Sequence, residues 1–300
     1  MFLGGRSKER PGSLLSGHTA ATALERLGHS VTLLDPLADS LKTPPITDCV
    51  FLALHGTYGE DGRIQGWLDT LDLPYTGCGV LASAVGMHKP TFKRLLLSLG
   101  VPTPPFVCSR TGFTAVAIDE LLLQVGLPLV LKPEAEGGSL GIIACRTRTA
   151  LETALLALQH DSTAYFAERF ILGRFLTLGF LGTAAAPKPL EIVYIEHPGD
   201  IYTYSQKHSN GVTTYHSPAP ISPRARDTIY SMGCRVYQLL GCHGPVRLDM
   251  ILADSEEVWI LEINTAPGLS PRSNLLASAR AAGMDYDQLI NEILQSAFTR

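Results

Sequence analysis

The clearest pattern in the chain is VRLDMIL at Val246–Leu252, followed after a short polar turn by VWILEIN at Val258–Asn264. Apolar and polar residues that alternate with a period of two are typical of β-strands, and the polar turn predicts that the two strands form an antiparallel hairpin. The same alternation places Leu248, Met250, Leu261 and Ile263 together on the apolar face of the hairpin.

The polar residues of this hairpin face one another in the predicted register. A turn centred between positions 255 and 256 places Asp249 opposite Glu262, and Arg247 opposite Asn264. Opposed carboxylates repel each other, so we expect a positive group between them. A hard divalent cation such as Mg²⁺ accepts these oxygen ligands, and Mn²⁺ is an alternative. The other reading is a solvated polar face on which Arg247 neutralises both acids.

Elsewhere, apolar runs rich in β-branched residues alternate with segments of helical period, which predicts a mixed α/β fold. We expect helices at 11–27, from about 80, and at 89–99, 150–159, 223–240 and 286–297. We expect strands at 31–34, 49–54, 127–132, 142–146, 164–170 and 175–181. The segment 198–220 has weak periodicity, and a loop of that length is usually functional or disordered.

The composition limits the classes of partner. The chain has 300 residues, 45% of them hydrophobic and 17% charged, and a net charge of −4. This composition excludes disorder and shows no basic footprint for nucleic acid. No apolar run reaches the length of a membrane span, so we expect no membrane partner. Six cysteines without Cys-x-x-Cys spacing, and no secretory signal, predict a cytoplasmic protein with free thiols.

A glycine-rich segment follows the strand that ends near Lys132. It contains Gly137, Gly138 and Gly141, and such glycines let backbone N–H groups approach an anion closely. A lysine beside this loop suits a nucleotide triphosphate. The alternative is a plain glycine-rich hairpin turn, because the pattern is neither a Walker A nor a GxGxxG motif.

Two further positions are candidates for substrate contacts. Glu9 and Arg10 follow the Gly4-Gly5 turn at the start of a predicted helix, where they could hold an ammonium and an anion or serve only as helix-end charges. His55 follows an apolar strand, at the edge where open α/β sheets bind ligands, and could also be structural.

Taken together, these segments resemble the D-alanine–D-alanine ligases of the ATP-grasp superfamily over nearly the whole chain. The matching stretches are LGGRSKER at 3–10, ALHG at 53–56, GEDG at 59–62, LPYTGCGV at 73–80, LPLVLKP at 127–133, RLD at 247–249 and LEINTAPG at 261–268. Only Met1–Leu3 precede the first glycine turn, so the first strand is expected to be very short or to begin upstream of this chain.

The resemblance implies a three-domain ATP-grasp architecture. An N-terminal parallel α/β domain is expected at 1–88, a central ATP-grasp domain at 89–175, and a C-terminal domain with the magnesium and catalytic site at 176–300. ATP is expected between the central and C-terminal domains, and a homodimer is what the family implies.

The resemblance also implies roles for particular residues. The expected ATP contacts are Lys89, Lys132, Gly137, Gly138, Glu168, Arg169, Ile171, Lys207 and Asn264. The expected metal ligands are Asp249, Glu262 and Asn264. The expected amino-acid contacts are Glu9, His55, Arg247 and Ser273, and the residues expected in catalysis are Glu9, Arg247, Gly268 and His208.

The implied reaction joins two amino acids at the expense of ATP. One carboxylate is activated to an acyl phosphate, an amine attacks it, and ADP and phosphate leave. Arg247 and the Gly268 amide are expected to stabilise the tetrahedral oxyanion, because fixed donors in a dry site stabilise developing charge.

Several positions depart from the family pattern. Gly138 replaces a usual Ser and His208 a usual Tyr or Phe, so only Glu9 remains of a hydrogen-bonded triad. Phe175 stands where a Glu commonly holds the ribose. A protonated His208 would disfavour an incoming ammonium, so we expect altered selectivity for the second substrate, towards a hydroxy acid or an amino acid other than alanine. The first reading remains a ligase that joins D-alanine to D-alanine or a close analogue. The alternatives are a specialised carboxylate–amine ligase for other amino acids, or a nucleotide-binding protein without turnover.

Overall fold

The computed structural model describes residues 1–39, 46–108, 115–159, 162–199, 201–202, 206 and 213–299. The N-terminal region is held together by parallel pairing around Phe2. The N–H of Phe2 donates to Phe51 O, and the N–H of Leu34 donates to Met1 O, each at 2.9 Å. Single parallel bridges join Phe2 to Leu34 and to Leu52. The predicted strands at 31–34 and 49–54 are thus in place, but each is reduced to bridges.

Three helices surround this pairing: α1 (Arg10–Arg26), α2 (Arg63–Asp69) and α3 (Val80–Met87). The first begins with Pro11 in its first turn and ends before Gly28, whose φ of +91° stops the helix. The apolar side of α1 packs into one core with the last two helices of the chain, through Ala20, Leu24 and Leu289. The N-terminal helix therefore lies directly against the C-terminal part of the chain.

The middle of the chain forms a four-stranded antiparallel sheet of order β1-β4-β2-β3. Its strands are β1 (Phe106–Cys108), β2 (Leu129–Pro133), β3 (Ile143–Cys145) and β4 (Tyr165–Arg169). The helices α5 (Ala115–Val125) and α6 (Arg148–Leu158) share a core with these strands. The predicted return of the chain after the glycine-rich segment is confirmed, since β2 and β3 pair antiparallel.

The C-terminal part forms a five-stranded antiparallel sheet of order β7-β6-β5-β8-β9. Its strands are β5 (Arg174–Thr183), β6 (Ala186–Glu196), β7 (Thr214–His216), β8 (Val246–Leu252) and β9 (Val258–Asn264). The helices α4 (Lys89–Ser98) and α7 (Pro223–Leu239) share one core with this sheet. The helices α8 (Asn274–Ala281) and α9 (Tyr286–Ser296) contribute to the core that includes α1.

The predicted register of the hairpin holds where the charged residues lie. Asp249 faces Glu262 and Arg247 faces Asn264, but a bulge shifts the next pairs so that Met250 faces Ile260. The prediction that Leu261 shares the apolar face of the hairpin is therefore wrong. Ile260 takes the buried place with 1% exposure, and Leu261 is turned toward a cleft.

Other elements were not predicted from the sequence. They are α2, α5, α8, β1 and β6, together with β7, which lies inside the weakly periodic segment 198–220. No helix in the described parts of the chain is long and apolar enough to cross a membrane. All six cysteines are free thiols, as expected.

Candidate active site

Two clefts meet beside the hairpin. The first, of about 150 Å³, lies between α1, the glycine-rich turn and the end of β9. The second, of about 270 Å³, lies between the two antiparallel sheets. Glu262 and Tyr202 line both clefts. A group bound in one cleft can therefore meet a group bound in the other at Glu262.

The structure gathers most of the predicted site residues around these clefts. The first cleft is lined by Glu9, His55, Lys89, Gly137, Gly138, Arg247, Glu262, Asn264, Gly268 and Ser273. The second cleft is lined by Lys132, Glu168, Arg169, Ile171 and, again, Glu262. Lys207 and His208 lie outside the described residues.

Arg247 and Asp249 form a buried, two-pronged pair. The Nε and one terminal nitrogen of Arg247 donate to the two carboxylate oxygens of Asp249, both at 2.8 Å. Thr177 Oγ1 donates to the same carboxylate at 2.8 Å. Burial opposes the charge of Arg247, but Asp249 and then Glu262 outweigh it and raise the pKa of the guanidinium. Arg247 therefore stays a fixed cation at the wall of the first cleft.

Lys89 ties the glycine-rich turn to the hairpin. Its Nζ donates to Glu136 O at 2.5 Å and lies 3.4 Å from Glu262 Oε2. Its backbone N–H donates to Glu134 O at 2.8 Å. An ammonium held between a carbonyl and a carboxylate at the junction of the clefts is suited to a phosphate oxygen.

Lys132 shares a buried carboxylate with a second lysine. Its Nζ lies 2.5 Å from Glu168 Oε1, and Lys93 Nζ lies 2.5 Å from Glu168 Oε2. Although burial opposes ionisation of Glu168, the two ammonium groups lower the pKa of its carboxyl. Burial lowers the pKa of Lys93 to about 8, against the attraction of Glu168. The three charged groups together keep one net positive charge at the end of the second cleft.

The glycine-rich turn also closes against Glu9. A Cβ built on Gly137 would stand 2.1 Å from Glu9 Oε1, so any side chain there would displace that carboxylate from its present position. Lys8 pairs with Glu136 across the same contact, Nζ to Oε1, at 3.1 Å. The loop expected to cradle phosphate thus also borders the expected ammonium site at Glu9.

His55 lies between two acids and the turn after β9. Its Nδ1 is 3.0 Å from Ala266 O and 3.5 Å from Glu60 Oε1, and its Nε2 is 2.9 Å from Ser16 Oγ. Burial would lower the pKa of His55, but Glu60 and Glu9 outweigh it and raise it. His55 therefore binds several groups of the fold as well as lining the cleft.

The oxygen ligands of the hairpin suit a hard cation in their chemistry. Asp249 and Glu262 are opposed, and Asn264 follows along the same strand, which provides two carboxylates and one amide oxygen. Asp249 is already held by Arg247, and Asn264 Oδ1 accepts from Ala266 N–H at 2.9 Å. Among the described residues, no cluster of three or more His, Cys, Asp or Glu side chains could hold a metal. A cation here would take Glu262 and the remaining lone pairs of Asp249 and Asn264 as ligands, and phosphate oxygens would complete its shell.

Sequence reasoning missed several residues of the site. Ser16, Glu60 and Tyr202 line the first cleft, and Leu261 and His197 line the second. Glu60 belongs to a quoted motif but received no role. Ser16 is a polar residue on the buried side of α1, and a polar residue among the apolar positions of a helix could have identified it as a candidate site residue. Tyr202 falls in the segment without periodicity, where no pattern pointed to it.

Comparison with known proteins identifies the family of the chain. The family model described as D-ala D-ala ligase C-terminus matches residues 95–295, and the N-terminus model matches residues 35–78. The chain belongs to the D-alanine–D-alanine ligase family.

Relatives of this ligase match along its full length. It is 40% identical to the D-alanine--D-alanine ligase of Bordetella avium over 99% of this chain and 93% of that protein. It is 38% identical to that of Herminiimonas arsenicoxydans over 100% of this chain and 91% of that protein. The chain is also similar to the crystal structure of the Bacillus anthracis D-alanine--D-alanine ligase complexed with ATP, with a TM-score of 0.83 and 27% sequence identity. This match covers 99% of this chain and 95% of that one. These matches confirm the ATP-grasp fold.

The departure at Phe175 has a structural counterpart in this ligase. The ring of Phe175 packs 5.3 Å from that of Tyr202, which stacks on His197 at 5.2 Å. These distances join ring centroids, and all three residues line the second cleft. An aromatic cluster thus forms part of the wall of the second cleft at Phe175.

Proposed function

We propose that the ligase activates the carboxylate of D-alanine with ATP and joins it to the amine of D-alanine or a close analogue. The position of Glu262 supports this most directly, because Glu262 lines both clefts. The first cleft holds the residues expected to contact the amino-acid substrates, and the second holds several of the residues expected to contact ATP. An acyl phosphate has to form where a carboxylate and a γ-phosphate meet, and the junction of the two clefts offers that place.

We assign the nucleotide to the second cleft. Lys132 provides charge for its phosphates from one end, and Lys89 from the junction. Apolar residues such as Leu261 and Ile171 provide a surface for the base. Glu168 holds Lys132 in place through their 2.5 Å contact. Magnesium, held by Glu262 with Asp249 and Asn264, would supply charge that offsets the transferring phosphoryl group.

We assign the amino acids to the first cleft. Glu9 holds the ammonium of the first substrate, and Ser273 contacts the carboxylate of the second. Arg247 and the Gly268 amide stabilise the oxyanion formed on attack, because Arg247 is a buried, permanently charged donor. His208 lies outside the described residues, and its role in catalysis stays a prediction.

We also retain the broader expectations. Separate apolar cores in the N-terminal, central and C-terminal parts support three domains at 1–88, 89–175 and 176–300. The helices α1, α3 and α4 nevertheless pack with cores of the C-terminal part. The protein is proposed to act in the cytoplasm as a homodimer on small amino acids, without nucleic acid or membrane.

Phosphate release from Mg·ATP across a panel of D- and L-amino acids tests the proposal. We expect release with D-alanine and its loss in Glu262→Ala. Release only with other amino acids would instead support a specialised ligase, and silence across the panel would support a nucleotide-binding protein without turnover. Rates for D-alanine, D-lactate and D-serine between pH 6 and 9 then test His208. A pH-independent preference for D-alanine would remove its assigned influence on the second substrate.

A further inference from the structure

The turn after β9 carries the amide assigned to the oxyanion, and it lacks rigid packing at the decisive residue. Gly268 has no side chain, and among the described residues a Cβ there would come within 4 Å only of Ser273 Cβ, at 4.0 Å. Glycine has more backbone freedom than any other residue. The direction of the Gly268 peptide therefore depends on the hydrogen bonds made by its neighbours.

Those hydrogen bonds come from the opposite end of the chain. The N–H of Leu269, next to Gly268, donates to Ser16 Oγ at 3.0 Å. Ser16 is 1% exposed and lies on the buried side of α1, 253 residues away in sequence. Its hydroxyl also lies 2.9 Å from His55 Nε2.

The direction of each bond can be worked out. Ala266 O can only accept, so the Nδ1 of His55, 3.0 Å away, carries a proton. In neutral His55 the Nε2 is then an acceptor, and the Ser16 hydroxyl donates to it while accepting from the Leu269 N–H. The Nδ1–H of His55 faces Ala266 O and, at 3.5 Å, Glu60 Oε1, so Ala266 O is its nearer acceptor. Hydrogen bonds thus hold the turn on both sides of Gly268: His55 bonds to Ala266, and Ser16 bonds to Leu269.

We propose that Ser16 is a positioning residue of the ligase, which fixes the Gly268 peptide so that its N–H points at the developing oxyanion. The inference rests on the proposed function and assigns a role to a residue outside the site expected from the sequence. Because Glu9 begins the same helix, Ser16 also holds the ammonium site and the oxyanion amide at a constant separation.

The test compares Ser16→Ala with the matched control Ser13→Ala. Ser13 lies one turn earlier on α1 and is also fully buried, but its hydroxyl bridges Gly4 N–H and Ala53 O rather than the turn. Hydrogen exchange of the 264–270 segment is expected to speed up about 10-fold in Ser16→Ala and to remain at the wild-type rate in Ser13→Ala. This measurement does not depend on any activity.

A second readout addresses the oxyanion itself. A phosphinate analogue of the D-alanyl-D-alanine dipeptide carries a tetrahedral, charged centre in place of the carbonyl. We expect Ser16→Ala to bind it about 10-fold more weakly in the presence of Mg·ADP and to lower kcat to a similar extent, with the KM for ATP unchanged. Complete loss of one oxyanion donor costs about 10²–10³-fold, and a misaligned donor costs less.

The outcomes separate the two proposals. Wild-type exchange and phosphinate affinity in Ser16→Ala would overturn the role of Ser16, as would equal losses in Ser13→Ala. A wild-type protein that forms no dipeptide would refute the proposed function, and the exchange rates would then still decide whether Ser16 holds the turn.

Discussion

Two lysines, Lys93 and Lys132, pair with the carboxylate of Glu168. Replacing Lys93 by Met removes one of these two positive charges. Lys93 is completely buried, and its Nζ contacts Glu168 Oε2 at 2.5 Å and Thr103 Oγ1 at 2.6 Å. Met has a similar length without the charge, so the substitution tests electrostatics more than packing. Glu168 keeps Lys132 as a partner in the variant.

The expected cost at pH 7 follows from two opposing contributions. Removing one partner of a buried ion pair costs about 3–5 kcal/mol when the other is left alone. Here Lys132 remains, and the ammonium of Lys93 is itself costly to bury, so we expect a net loss of about 1–2 kcal/mol. Each kcal/mol corresponds to about 1.5–2 °C in Tm for a protein of 300 residues.

The dependence on pH gives the sharper test. The pKa of Lys93 is lowered from 10.5 to about 8, so between these values the unfolded chain holds a proton that the folded protein has released. Stability then rises with pH across this window, by about 3 kcal/mol in all, because one pKa unit is worth about 1.4 kcal/mol. Lys93→Met lacks this gain, so the difference in stability between wild type and variant should grow from pH 8 to pH 10.

Urea unfolding of both proteins at pH 7, 8, 9 and 10 measures this difference, and titrations common to both proteins cancel. Thr103→Val is the matched control, since it removes the hydroxyl contact to Lys93 but leaves all three charges in place. It should keep the wild-type pH dependence. A difference between wild type and Lys93→Met that stays constant from pH 8 to pH 10 would refute the reasoning.

Three further changes have definite expected outcomes. Gly137→Ala puts a Cβ where Glu9 Oε1 lies, so kcat/KM for the first amino acid should fall about 10–100-fold in steady-state assays, and an unchanged value would contradict the contact. Glu262→Gln removes a charge at the junction of the clefts, so Mg·ATP-dependent phosphate release should fall at least about 100-fold, while circular dichroism stays native. Gly17→Ala brings a Cβ to 2.5 Å from Leu3 Cβ, so calorimetry should show a loss of about 1–3 kcal/mol of stability.

The hairpin shows how far local pattern carries. Its pairing near the charged residues was predictable, because a period of two and a polar turn set which residues face each other. The bulge that turns Leu261 out of the core was not, since it depends on how Ile260 packs against the rest of the C-terminal core. Likewise, the sequence predicted strands at 31–34 and 49–54, but both are reduced to single bridges beside Phe2. The length of such a pairing depends on residues that are distant in the sequence.

The residues with chemical potential, and the family to which they point, could be read along the chain because side-chain chemistry and motif order are local properties. The contacts that these residues make with one another could not be read from the sequence. Asp249 accepts two hydrogen bonds from Arg247, and Glu168 pairs with both Lys93 and Lys132. Ser16 accepts a hydrogen bond from the N–H of Leu269. Such contacts join segments up to 253 residues apart, and the packing of helices and sheets brings them within 3 Å. The sequence therefore supplied the site's groups, and the folded arrangement assigned their partners.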